Sequence, residues 1–151
     1  MASRLLKIAA VYMLIGVTMG FAMGVTHHFE FAPVHAHLNL LGWASLGLAG
    51  CIYHIYPEAA KTKLAQLHFW LHNIGLPVFM AGLFAQFCDV PAAEPFVRIG
   101  AGMTYAGIVW FVVNLLRHRM DQSRTATRLV SEPVRSASEF AARRAGTGPG
   151  P

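Results

Sequence analysis

The chain has 151 residues, of which 55% are hydrophobic and 13% charged, with a formal net charge of +5. Ordinary soluble domains carry about 25% charged residues, so the composition excludes a typical water-soluble globular domain. The length suits one domain, and the basic excess carries no nucleic-acid footprint.

Between Ile8 and Phe87 the only charged side chains are Glu30, Glu58, Lys61 and Lys63. The segments between them are long enough to cross a bilayer, which takes ~20 apolar residues. Four spans are expected, roughly 5–26, 34–56, 64–87 and 96–116. The fold class is therefore all-α, an integral-membrane four-helix bundle over residues 1–118. Residues 119–151 read as a basic cytoplasmic tail, mostly disordered, ending in "GTGPGP". Within it "VRSASEFAARR" has the pattern of a short amphipathic surface helix, with a plain solvated tail as the alternative.

The first span opens "MASRLLKIAAVYMLIGVTMGFAMG". Its apolar part exceeds the ~7–15 residues of a secretory signal, so it reads as a retained helix. Gly16, Gly20 and Gly24 recur at every fourth position. Small-xxx-small stripes let backbones approach closely in lipid. Three uses stay open: packing within the chain, self-association, or a groove for a flat cofactor. Gly42, Gly47 and Gly50 repeat the theme on the second span, Gly75 and Gly82 on the third, and Gly100 and Gly107 on the fourth.

Basic residues set the expected orientation. Arg4 and Lys7 precede the first span, and Lys61 and Lys63 separate the second from the third. Arg117, Arg119, Arg124, Arg128, Arg135, Arg143 and Arg144 follow the fourth. Glu30, Asp89 and Glu94 fall on the opposite side, with Arg98 as the basic exception. Both termini are expected to be cytoplasmic. Cys51 and Cys88 lie at different depths and are expected to form no disulfide.

Eight histidines are many for a membrane chain. His27, His28, His35 and His37 cluster at the non-basic end. His54, His68 and His72 lie toward the other half, and His118 sits at the boundary beside Arg117. Ionisable groups inside a membrane are functional candidates by default. In "APVHAHLNLLGW" two histidines stand one residue apart. On an α-helix such residues point about 200° from each other. His35 and His37 therefore face opposite flanks and serve either two separate sites or none. Zinc requires four convergent ligands, whereas haem needs one or two imidazoles and an apolar slot. His68 and His72 share a face at i,i+4 and, with His54, form a weaker metal candidate.

The stretch "PVHAHLNLLGWASLGLAGCIYHIYPEAAKTKLAQLHFWLHNIGLPVFM" resembles part of the catalytic subunit of haem–copper oxidases and their nitric oxide reductase relatives. The elements "HAH", "IYHIYP" and "LAQLHFWLHNIG" are similar in order and spacing to that family's tenth and eleventh transmembrane helices. The resemblance covers residues 33–87. It implies that His35 binds a high-spin haem and His37 a low-spin haem. The family's other low-spin ligand and its three copper- or iron-binding histidines have no counterpart here. "HH" at 27–28 lacks the partner helix and the cross-linking tyrosine.

The expected function is an integral-membrane haem b protein, serving electron transfer or the binding or sensing of nitric oxide or oxygen. His27 and His28 are candidate second ligands beside His35 and His37. Alternatives are a cofactor-free accessory or assembly subunit of a respiratory complex, or an oligomeric minimal oxidase or reductase. The departures argue against copper or non-haem iron within one chain, and leave catalytic residues unassigned. Expected partners are the lipid bilayer, further copies of the chain, and a respiratory-chain quinol or cytochrome. The expected location is a bacterial inner (cytoplasmic) membrane.

Overall fold

The computed structural model describes residues 1–118; the expectations for residues 119–151 lie outside the described residues. Four helices follow one another: α1 (Ala2–Thr26), α2 (Phe29–Ile55), α3 (Lys63–Phe87) and α4 (Glu94–His118), each long and apolar enough to cross a membrane. At 1.5 Å per residue, 25 residues reach about 37 Å, more than the ~30 Å hydrocarbon core. The spans read from hydropathy agree with these helices to within a few residues. No strand occurs among the described residues.

Each helix end has a local cause. α1 stops at His27, whose backbone is left-handed (φ 59°) and whose N–H returns to the Met23 carbonyl at 2.8 Å. That is the geometry of a helix C-cap, adopted here by a residue other than glycine. One residue later a tight 3-10 turn, Phe29–Phe31, leads into Ala32–His37, with Pro33 in its first turn where no backbone donor is missed. α2 ends before Pro57, which disfavours helical backbone at Tyr56. Thr62 then caps α3, its hydroxyl oxygen accepting from the Ala65 N–H at 3.0 Å.

The middle of α2 is not α-helical. Leu38–Ser45 winds as a π-helix before α-geometry resumes at Leu46–Ile55. The wider turn changes which carbonyls are available to side chains. Ser45 Oγ donates to the Leu40 carbonyl at 2.8 Å, and the Leu41 carbonyl is taken by a neighbouring helix, as described below.

Glycines set two close helix pairs within the packed unit Met1–Asn114. Between α1 and α2, a β-carbon on Gly16 would lie 2.5 Å from Asn39 Nδ2, and one on Gly42 would lie 2.5 Å from Tyr12 Cγ. Between α3 and α4, one on Gly75 would lie 2.8 Å from the Thr104 backbone nitrogen, and one on Gly100 would collide with the Phe79 backbone. Gly16 and Gly20 thus serve packing within the chain, while nothing lies within 4 Å of a β-carbon built on Gly24. One core cluster, around Leu5, Leu46 and Tyr53, lies toward the Arg4 end. A second, around Val34, Leu38, Leu76 and Phe79, lies under the histidine pair.

Candidate functional site

The 3-10 corner and Pro33 start α2 so that His35 and His37 fall in its second turn. The two rings diverge. His35 turns to α1, where its Nδ1 donates to the Gly16 carbonyl at 2.8 Å. A β-carbon on Gly20 would lie 2.6 Å from His35 Cε1, so the ring rests on bare backbone. His37 turns to α3 and meets Phe79 edge-on, ring centroids 5.1 Å apart. Its Nδ1 donates to the Pro33 carbonyl at 2.7 Å.

These two bonds fix the tautomers. A carbonyl oxygen only accepts, so the proton sits on Nδ1 of each ring and the Nε2 lone pair is left free. Neither Nε2 has a partner among the described residues, and neither is among the buried unpartnered atoms. Both rings are half-buried. This is the orientation a metal-binding imidazole takes, with the distal nitrogen tied down and the other presented. Asn39 supports the first ring by donating from Nδ2 to the His35 carbonyl at 2.9 Å while packing on Gly16.

His27 and His28 stay at the α1–α2 corner. His28 Nδ1 pairs with Glu30 Oε1 at 2.7 Å, and the His27 ring lies 6.1 Å from that of Phe29. Both histidines are exposed, and neither bonds or stacks with His35 or His37. An exposed ion pair of this kind contributes little to stability.

His68 and His72 do come together, as their spacing predicts. They are 2% and 1% exposed, with perpendicular rings 5.6 Å apart. Tyr53 brings its hydroxyl to His68 Nδ1 at 3.3 Å. His72 Nε2 donates to the Leu41 carbonyl at 3.1 Å, inside the π-helical stretch, which leaves its Nδ1 buried and unpartnered. His54 does not join them. It is exposed, because Tyr53 holds the inward position and the next residue is turned about 100° away. Among the described residues no three His, Cys, Asp or Glu side chains converge on a point that could hold a metal ion.

Tyr53, the carbonyls of Gly16, Pro33 and Leu41, and the Phe79 ring are partners that pattern reading does not reveal. The glycine stripe is the one signal that pointed toward Gly16. An open apolar groove of about 470 Å³ runs between α1 and α3 at the same end of the bundle, lined by Leu14, Met19, Leu38 and Phe84 among others. Neither His35 nor His37 lines it.

Over 68 residues the chain is 27% identical to the Cbb3-type cytochrome c oxidase subunit CcoN1 of Stutzerimonas stutzeri. The match takes in 41% of this chain and spans 14% of that protein's length. No family model matches the chain, and no solved structure matches it. With four apolar spans, the similarity supports a multi-pass membrane protein related in part to an oxidase subunit.

Proposed function

We propose that the chain is an integral-membrane haem b protein in which His35 and His37 present Nε2 to iron on opposite flanks of α2. The observation that carries this reading is the pair of Nδ1-to-carbonyl bonds, to Gly16 and to Pro33, which leave both Nε2 atoms free. The donor chemistry fits haem iron, for which imidazole is a common axial ligand. The carbonyls hold each ring in one tautomer and one orientation. Phe79 packs against the His37 ring in a T-shaped contact, and Gly20 gives the His35 ring clearance against α1. When bound, haem supplies one-electron transfer or a position for nitric oxide or oxygen. A porphyrin on either flank would rest on half-open surface, shared with lipid, a second copy of the chain or a respiratory partner. We place both termini in the cytoplasm of a bacterial inner membrane, on the strength of the basic residues.

A second reading has its own support. His35 already fills a notch on α1 and already has a hydrogen bond. A cofactor-free accessory subunit of a respiratory complex would need the ring for packing alone.

The optical spectrum of protein purified after expression with ample haem separates the two. The haem reading expects a Soret band that His35→Ala and His37→Ala each diminish in a still-helical protein. Absence of the band from the parent protein overturns it. The haem-to-protein ratio, taken with the oligomer mass in detergent, fixes how many ligands each copy supplies.

A further inference from the structure

At the end of the bundle opposite the histidine pair, a cleft of about 380 Å³ opens between the start of α1 and the start of α3. Its walls are Met1, Arg4, Gln66, Phe69 and Trp70. We propose that this cleft binds the phosphate headgroup of an anionic phospholipid, with the acyl chain running along Phe69 and Trp70.

Four observations converge on that ligand. First, Arg4 is exposed and has no carboxylate partner among the described residues. The ion pairs among the described residues join His28 to Glu30, Lys61 to Glu58 and Arg98 to Glu94. An unpaired guanidinium offers the forked donors that match a phosphate.

Second, the lining is ordered by depth. Gln66 lies three residues into α3 and Trp70 seven, so their positions are about 5 and 10 Å from the helix start. Along α3 the amide therefore lies nearer the helix start than the two aromatic residues, the same order as headgroup and tail in a phospholipid entering from that end. Third, Lys63 is exposed, one turn before Gln66 on the same face, and likewise has no ion pair among the described residues. Basic residues at a membrane surface attract anionic lipid. Fourth, the first turn of α3 opens beside the cleft, and the amide ends of a helix favour negative charge. Trp70 is 61% exposed, as an interfacial anchor would be.

A free phosphate ion shares the headgroup chemistry but has no use for the aromatic side chains of Phe69 and Trp70, so the lipid is the ligand assigned. The site is independent of haem, so this proposal stands or falls apart from the one above. The test is native mass spectrometry of the full chain released from detergent containing phosphatidylglycerol or phosphatidylcholine. Phosphatidylglycerol is expected to be retained about fivefold more, the effect of one basic residue at an anionic surface. Arg4→Gln is expected to abolish that preference, and because the Arg4 side chain makes no bond to the described residues the variant is expected to fold. Millimolar inorganic phosphate is expected to leave the lipid in place. Equal retention of the two lipids, an unchanged preference in Arg4→Gln, or displacement by inorganic phosphate each overturns the proposal.

Discussion

His35 reaches across to α1 and donates from Nδ1 to the carbonyl of Gly16, 2.8 Å away, with its ring laid over Gly20. The glycine stripe and the first histidine of the pair are therefore two sides of one joint. The joint orients the imidazole by removing everything that would hold it off the helix. A β-carbon at Gly20 would meet the ring at 2.6 Å, whereas at Gly24 it would meet nothing within 4 Å. Gly20→Val is thus expected to cost the ~1–3 kcal/mol typical of overpacking, seen as a lower thermal midpoint in detergent, and Gly24→Val to leave the midpoint nearly unchanged. Equal effects at the two positions would show that the ring does not sit where described.

A second joint links α3 to the π-helical stretch of α2. His72 is almost fully buried and its Nε2 donates to the Leu41 carbonyl. Replacement by leucine leaves that carbonyl without its donor, at a cost of ~1–3 kcal/mol. Glutamine can still offer an N–H. His72→Leu should therefore lose more stability than His72→Gln in denaturant titration. The reverse order would argue that the ring contributes by packing and not by its hydrogen bond.

At the Arg4 end, Thr62 donates from Oγ1 to Asn114 Oδ1 at 2.7 Å, and Asn114 Nδ2 donates to the Ala59 carbonyl at 2.9 Å. Asn114 is 2% exposed. These bonds tie α4 to the α2–α3 connection. Thr62→Val and Asn114→Leu should each destabilise, and their double-mutant cycle should give a coupling of ~1 kcal/mol. Additive losses would mean the two side chains act separately, with Thr62 serving only to cap α3.

Much of this architecture is written in hydropathy, because a span has to be apolar along its whole length and charges can gather only at its ends. The splay of His35 and His37 is also legible, since it needs only helical periodicity. What the sequence hides is pairing between helices. Nothing in "LNLLGWAS" distinguishes a π-turn from an α-turn by composition. The Leu41 carbonyl finds His72 across 31 residues. His54 looked like a neighbour of His68 and His72 by depth, yet depth says nothing about which side of α2 a residue occupies, and Tyr53 has the inward one. Asn114 is visible as a polar residue within a span, suited to an interhelical hydrogen bond, but its partners, Thr62 and Ala59, are not, because they lie more than fifty positions away.

Orientation is testable through the two thiols. Cys51 and Cys88 are both free and exposed. Cys88 follows the last turn of α3, next to Asp89 with its left-handed backbone (φ 57°), in the connection to α4. Cys51 sits within α2, where exposure means contact with lipid. If the basic end faces the cytoplasm, a water-soluble, membrane-impermeant maleimide added to spheroplasts should label Cys88. Cys51, embedded among hydrocarbon, should stay unmodified until detergent admits the reagent. Cys88→Ser should then remove the signal from intact membranes and leave the detergent-dependent one. Labelling of Cys88 only after the membrane is broken would place that connection in the cytoplasm and reverse the assignment of every loop, with the basic residues on the outside.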